Sequence, residues 1–378
     1  MLKFYLVKKR AQPYRIDAVL RACDVLAAFR RDDELLQLKD VVARTGISNA
    51  TAFRIVRTLQ ERGFVEKVGA RHYRSKVHFA RRGRYRFGYA SQGEDSTFSQ
   101  EWSESIINEA RQQGVDLIAV NNGTDAETAI RNVETFIQER VDLVIEHQFN
   151  EHIAPVISAR LLDAGIPLIA MGTVHPGAIY FGGNNYLAGL LGGRHLGQWA
   201  KREWNGAFDE LILLELSFGG PLLQARMTGV EAGVREVLPS FLAGRVVKLR
   251  GTGQFGSTLD LMRKHLRHAT ARRILVGAAN DPCALGALRA LEESGWGEDC
   301  AVMGQGGSFE GRAELRREAT RLIGTVAFFP EKYGEGIMRL ALDLLEKRPV
   351  PPAVFAKHKV LTSANVEHHY PNDCLLQR

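Results

Sequence analysis

Two fold classes share this chain: a small α+β module of three short helices and a hairpin, then a larger α/β block built on parallel sheets. Charge separates them. Residues 1–86 carry 21 Lys/Arg against 8 Asp/Glu, whereas residues 87–378 carry 29 against 35. Apolar spacing separates them as well. Helical periodicity governs the stretch up to about residue 62, and short apolar runs alternating with amphipathic segments govern everything from residue 86. At 378 residues the chain exceeds one ordinary core, so more than one domain is required.

In the front module, Ile16, Val19, Leu20, Cys23, Val25, Leu26, Ala27 and Phe29 predict a first helix over about 16–30. The polar run Arg30-Arg31-Asp32-Asp33-Glu34 ends it. A second helix reads from Leu38 through Ala43 and stops near Gly46, a residue that readily terminates helices. Ile47-Ser48-Asn49 forms a tight turn in which Ser48 or Asn49 caps a third helix, from about Ala50 to Arg62. That helix buries Ala52, Ile55, Val56 and Leu59 and presents Asn49, Ala50, Phe53, Arg54 and Arg57 on its other face. Residues 64–74 read as two short strands around Gly69-Ala70.

Helix, helix, turn, helix and hairpin make a winged helix-turn-helix, assigned here to residues 1–76, with 77–85 as a basic linker. The surplus of cations implies a polyanion, and double-stranded DNA is the partner it predicts. The third helix suits a major groove, where Arg54 and Arg57 reach guanine edges or phosphates. Phe53 either touches thymine methyls or packs against the first helix. Arg71 and Arg74 on the wing, with Lys76, Arg81, Arg82 and Arg84 beyond it, add sequence-independent attraction to the DNA backbone. Three words carry a family resemblance: Ala18 to Leu26, Thr45-Gly46-Ile47-Ser48-Asn49-Ala50-Thr51-Ala52-Phe53-Arg54, and Thr58 to Glu66 through Gly63-Phe64-Val65. They resemble the IclR-type winged helix over about residues 16–76. The resemblance implies a transcription factor with Ser48, Thr51, Arg54 and Arg57 facing DNA.

In the large block, apolar runs at 87–90, 115–120, 143–145, 167–171, 211–216, 246–249, 274–278, 301–303 and 323–328 predict strands. Segments 99–113, 126–140, 150–164, 186–202, 220–237, 256–267 and 282–294 predict the helices between them. Such alternation makes parallel sheets covered on both faces. Nine strands imply two similar lobes, and ligands then sit in the cleft at the carboxyl ends of the strands. The glycine clusters form no phosphate loop. No nucleophile elbow, metal-ligand set or carboxylate pair stands out, so the expectation is no enzyme, no cofactor and no metal. Cys23, Cys283, Cys300 and Cys374 lie far apart, which argues for a reducing cytoplasm rather than disulfides or a zinc ribbon. Charge interrupts the first residues too early for a secretory core, and no apolar run reaches the roughly 18 residues of a membrane span.

Four words of this block carry a second resemblance: Asn280 to Leu291, Gln224 to Val230, Gly182 to Gly189, and Gly324 to Pro330. They resemble the type I periplasmic-binding-protein fold of ribose-type sugar-binding proteins and LacI-type repressors, over about 85–363. We assign a two-lobed small-molecule-binding domain to 86–363, leaving 364–378 as a polar tail in which His368-His369 is solvated. The resemblance implies that Arg226 and Asn280 bind ligand hydroxyls and that Phe98 and Phe255 cover the C–H faces of a sugar. His147 or Gln148 falls where a polar first-lobe contact belongs. Where the family usually has two aspartates and an amide, this chain has Gly172, Gly306 and Phe328. Phe328 either lines the cleft or joins the core, and Asp281 is expected to cap its helix. Together with Arg226, His147 and His175, the missing acceptors favour a sugar acid or phosphorylated compound. The whole reads as a cytoplasmic, homodimeric, ligand-responsive transcriptional regulator sensing a sugar, polyol or sugar acid. A solute-binding protein of a transport system is the alternative; it explains the large block and leaves the basic module unexplained.

Overall fold

The computed structural model describes residues 16–29, 34–77, 85–218, 220–240 and 245–373. It divides between residues 84 and 85 into two compact units. The linker cations Arg81, Arg82 and Arg84, and Cys374, lie outside the described residues.

The first unit runs α1 (Asp17–Ala27), β1 (Leu36–Gln37), α2 (Leu38–Thr45), α3 (Asn49–Glu61), β2 (Val65–Val68) and β3 (His72–Ser75). Strand β3 pairs antiparallel with both β1 and β2. Helix α2 starts where the Asp40 carboxylate accepts the Gln37 backbone N–H at 2.9 Å, and it ends at Gly46, whose φ of +67° is left-handed. Ser48 caps α3 by accepting the Thr51 backbone N–H. Val25, Leu26, Val41, Val56, Leu59, Val65 and Tyr73 form the core. Ile16 and Val19, part of the apolar spacing that predicts α1, are exposed, because only the second half of that helix joins the core.

The second unit holds two sheets. Its strands are β4 (Arg86–Ser91), β5 (Asp116–Asn121), β6 (Leu143–Gln148), β7 (Leu168–Gly172), β8 (Ile179–Gly183), β9 (Glu210–Leu216), β10 (Val246–Gly251), β11 (Ile274–Ala278), β12 (Cys300–Gly306), β13 (Leu322–Ala327), β14 (Ala353–Ala356) and β15 (Lys359–Leu361). Its helices are α4 (Thr97–Gln112), α5 (Ala126–Gln138), α6 (Ala154–Asp163), α7 (Asn185–Trp204), α8 (Pro221–Val237), α9 (Phe255–Leu266), α10 (Asp281–Glu293), α11 (Phe309–Leu315), α12 (Tyr333–Leu345) and α13 (Val366–His369). The first lobe has strand order β14-β8-β7-β6-β4-β5 and the second β10-β9-β11-β12-β13-β15. Neighbours are parallel except β13 and β15. The chain therefore passes between lobes three times: after β8, after β13, and between β14 and β15.

Each sheet is apolar on both faces, as a parallel sheet between helices must be. In the first lobe Phe87 and Ile145 pack with Trp102 and Ile106 of α4, while Ala90 and Val144 pack with Phe136 of α5 and Ile157 of α6. In the second lobe α7 and α8 meet backbone to backbone. A Cβ added at Gly189, Gly193, Gly229 or Gly233 would overlap a carbonyl oxygen of the facing helix. This crossing clamps Arg226, on α8, against the start of α7.

The expected polar tail is folded. Residues 366–369 form α13, Val366 is buried, and Asp373 is 4% exposed in an ion pair with Arg312. A buried guanidinium needs a carboxylate, and the tail supplies it. His368 is exposed as expected, whereas His369 is half-buried against Phe329, their rings 6.0 Å apart.

Candidate functional site

The first unit offers a cationic face on α3. With Ala52, Val56 and Leu59 turned into the core, the helical repeat leaves Asn49, Phe53, Arg54 and Arg57 exposed. Phe53 therefore does not pack under the first helix. Ser48 is exposed, and its hydroxyl donates to the Thr51 hydroxyl at 2.9 Å, so both side chains serve the cap. Arg54 and Arg57 form no ion pair among the described residues. On the wing Arg71 is exposed, but Arg74 and Lys76 are engaged by Glu66, with Arg74 Nε donating at 2.6 Å. Those hydrogen bonds hold the Glu66 carboxyl below its usual pKa. Sequence reasoning missed Arg21, which lines a groove between α1 and α3 beside Thr51 and Arg54. Its position every third or fourth residue along α1 from Asp17 was the available signal.

In the second unit the cleft site is built where the three crossings converge. The Asn184 backbone N–H donates to His358 Nε2 at 2.9 Å, joining the first crossing to the third. The His358 ring meets Phe328, on the second crossing, edge-on at 4.5 Å. Gly183 makes room for them, since a Cβ there would overlap the Phe328 ring. Burial, assisted by the Arg226 charge, pushes the His358 pKa down to about 4, consistent with its accepting role.

Arg226 lies over the Phe328 ring at 4.7 Å. Its Nε and Nη2 donate to Asn185 Oδ1 at 3.0 and 2.6 Å, and its Nη1 donates to the Ala279 carbonyl. Burial pushes its pKa down to about 10. Phe98 stands edge-on to Phe328 at 6.3 Å and to Trp102 at 5.8 Å. Trp102 stacks on His147 at 4.2 Å and meets Tyr333 edge-on at 4.9 Å. Burial pushes His147 down to about 3, so its ring is neutral. Trp102 Nε1, His147 Nε2 and the Tyr333 hydroxyl are buried without a hydrogen-bond partner among the described residues.

Phe98, His147, Arg226 and Phe328 are thus brought together, with Phe328 4% exposed. The other expected ligand contacts stand differently. Gln148 points to the opposite face of β6 from His147, and its Oε1 accepts the backbone N–H groups of Phe149 and Asn150 at 3.0 and 2.9 Å. Phe255 opens α9 and is 43% exposed. Asn280, rather than Asp281, caps α10: its Oδ1 accepts the Cys283 N–H and its Nδ2 donates to the Gly253 carbonyl, both at 2.9 Å. Asp281 instead accepts from the Ser308 N–H at 2.6 Å and the Thr325 hydroxyl at 2.5 Å, tying α10 to the strand ends beside it. His175 is buried, with Nδ1 3.2 Å from the Thr173 carbonyl.

Gly172 and Gly306 have φ of +82° and +125°. A Cβ at Gly172 would overlap the Gln148 carbonyl oxygen and lie 3.1 Å from both the His147 and Phe149 rings, so backbone and aromatic carbon together fill the space a side chain would need. Trp102 was readable as the i+4 neighbour of Phe98 on α4. Asn185, Tyr333 and His358 carried no such signal, because only the crossings bring them together.

The lobes also touch away from this cluster. Thr97 donates to Glu310 at 2.9 Å, Arg312 reaches Glu101 at 3.1 Å, and Phe149 meets Phe218 at 6.2 Å. Among the described residues no group of three His, Cys, Asp or Glu is arranged to hold a metal, and no helix is long and apolar enough to cross a membrane.

Two family models match this chain: a periplasmic binding protein domain over residues 87–349 and an IclR helix-turn-helix domain over residues 18–69. No curated protein matches it. Among solved structures, an ABC transporter solute binding protein from Bacillus halodurans with bound myo-inositol is 22% identical, with TM-score 0.66, covering 78% of this chain and 99% of that one. A periplasmic solute binding protein from Actinobacillus succinogenes with bound D-allose is 17% identical, with TM-score 0.66, covering 75% and 100%. A Mycobacterium smegmatis protein in complex with β-D-fucofuranose is 22% identical, with TM-score 0.63, covering 77% and 96%. At these identities the likeness is one of fold.

Proposed function

Since the chain belongs to the periplasmic binding protein domain family and carries an IclR helix-turn-helix ahead of that domain, we propose that it is a DNA-binding transcriptional regulator controlled by a small polyhydroxylated effector in the cleft. The observation that carries this reading is the pairing itself: a cationic helix on one unit and a hinged cleft on the other, in one chain. In this reading Ser48, Asn49, Thr51, Phe53, Arg54 and Arg57 form the major-groove face, with Arg21 and Arg71 contacting phosphates. Arg74 contributes only if DNA displaces Glu66. Phe98, Trp102, His147, Arg226, Phe328 and Tyr333 hold the effector, with Asn280 and Phe255 at its edge. The protein acts as a cytoplasmic homodimer, since a two-fold assembly matches paired half-sites about one helical turn apart. Effector binding counts as regulation only if it favours one lobe arrangement over another.

The test is electrophoretic retardation of the protein's own upstream DNA over a salt series, with and without candidate effectors. Steep weakening of affinity with salt is expected. Arg54→Ala/Arg57→Ala reduces binding at least tenfold and flattens the salt slope by about one for each phosphate no longer neutralised. Wild-type affinity in that double variant removes α3 from the interface. The names of the transport proteins sharing this fold favour a second reading, a solute-binding protein with no DNA role. Absence of salt-dependent retardation, together with sugar binding, would establish it instead.

A further inference from the structure

Two arginines of the large unit, Arg312 and the part-buried Arg226, are treated differently. Arg312 is 2% exposed and has two carboxylates, Asp373 at 2.7 Å and Glu101 at 3.1 Å. Arg226 has none. Its partners among the described residues are the Asn185 amide oxygen and the Ala279 carbonyl oxygen, both neutral. Three hydrogen bonds go to these two oxygens, and a guanidinium carries five N–H donors, so two remain.

No carboxylate hydrogen-bonds Arg226 among the described residues. Asp281 acts electrostatically on Arg226, yet its oxygens are taken by Ser308 and Thr325. Glu151 is exposed at the rim, beside Phe149 and Gly220. The strand ends at Gly172 and Gly306 offer no side chain at all. Burying a cation without a counter-charge is costly, and an entering anion reverses that cost.

The neighbouring unpartnered atoms agree. Trp102 Nε1 is a donor only, and the Tyr333 hydroxyl has a proton to give. A carboxylate only accepts, so the spare guanidinium N–H groups and the Trp102 indole N–H suit it, while the Tyr333 hydroxyl and the neutral His147 ring can also serve hydroxyls. One guanidinium offsets one negative charge, which fits a carboxylate better than a phosphate dianion. Gln305, near the carboxyl end of β12, is also buried with both amide atoms unpartnered among the described residues.

We infer that the effector is a sugar acid, its carboxylate held by Arg226 with the Trp102 indole and the Tyr333 hydroxyl beside it. This inference rests on the cleft being the effector site, and its test separates the two ideas. The full-length protein is titrated calorimetrically with D-galacturonate, D-gluconate, the methyl ester of D-galacturonate, D-galactose, myo-inositol and glucose 6-phosphate. At least one acid should bind tenfold or more tightly than its uncharged counterpart, a difference of about 1.4 kcal/mol. Arg226→Lys should keep the preference for the acid and Arg226→Met should lose it. The ester-to-acid ratio in the wild type decides the matter even if those variants fail to fold.

Equal or tighter binding of the ester, galactose or inositol overturns the sugar-acid inference while leaving a cleft that senses polyols. Selective binding of glucose 6-phosphate, or binding of neither acid, also overturns it. None of these outcomes touches the DNA-retardation result, which judges the regulator reading by itself.

Discussion

Replacing Asp373 by Asn tests whether the chain's last described turn is part of the second lobe. The carboxylate accepts from Arg312 Nε at 2.7 Å, Arg312 Nη2 at 3.1 Å and Arg316 Nη1 at 3.0 Å. The Arg312 guanidinium is stacked 3.9 Å from the Tyr370 ring centroid and is also bound to the Gly307 carbonyl at 2.6 Å. Removing one partner of a buried pair strands the other charge and typically costs about 3–5 kcal/mol. Glu101 remains as a second carboxylate at 3.1 Å, so the lower end, about 3 kcal/mol, is expected. For a unit of this size that corresponds to a melting-point drop of roughly 6–12 °C. The assay is thermal unfolding of the full chain, followed on the transition of the large unit. Arg312→Met/Asp373→Leu should recover part of the stability, because a well-packed apolar pair replaces a buried ionic one at little cost. A drop below about 2 °C for Asp373→Asn would refute the reasoning, since even one charged hydrogen bond contributes more than that.

Glu146 is buried on β6 with only the Asn122 amide as partner among the described residues, at 2.9 Å, and burial pushes its pKa up to about 8. Between its unfolded pKa near 4.5 and this folded value, folding takes up a proton. The protein should therefore become less stable as pH rises from 5 to 8, and Glu146→Gln should remove about 1–4 kcal/mol of that decline in urea unfolding. An unchanged pH slope would place the carboxyl in water. Gly229→Ala should destabilise by about 1–3 kcal/mol despite the better helix propensity of alanine, because its Cβ would lie 2.8 Å from the Leu190 nitrogen. Gly256→Ala on α9, where a Cβ meets nothing within 4 Å, should stabilise by up to about 1 kcal/mol in the same melting experiment.

Much of this architecture was legible because parallel strands buried on both faces leave continuous apolar runs. All nine expected runs are strands, and all seven expected helices of the large block are present. The three strands of the large block that were not foreseen hide for definable reasons. Ile179-Tyr180-Phe181 runs into Gly182-Gly183, which resembles a hinge as much as a strand. The edge strands β14 and β15 are short and partly exposed, with Phe355 half in solvent, so neither carries a buried run. Helix α12 carries Gly334 and Gly336 near its start, which dilutes its helical signature. In the site, Arg226 and Phe328 lie within motif words while Phe98 and His147 were named through the resemblance alone, and the hydrogen-bond commitments of none of them were legible. Asn280 and Asp281 are adjacent and chemically alike, and only the φ/ψ of the helix start decides which one caps. The tail was misjudged because its value lies in one aspartate facing an arginine sixty-one residues earlier.

The arrangement of the crossings bears on how a bound molecule could be felt beyond the cleft. A ligand changes the lobe equilibrium only through contacts that differ between the two arrangements. Contacts confined to one lobe do not qualify, since they persist when the lobes part. Arg226 is placed otherwise: it hydrogen-bonds Asn185, the residue after the first crossing, and covers Phe328 on the second. Phe328 in turn touches His358 on the third, and His358 holds the Asn184 N–H. A group bound to the guanidinium therefore pulls on all three connections through at most two intervening residues. The same geometry sets a pH limit. Below its unfolded pKa near 6.5, His358 must stay neutral to accept from Asn184, while the unfolded ring gains a proton. Stability from this hydrogen bond is thus complete above pH 6.5 and falls away toward pH 4. His358→Gln, which retains an acceptor but does not titrate, should decline less in stability over that interval than the wild type. An identical acid limb in the two proteins would mean that the hinge hydrogen bond does not govern it.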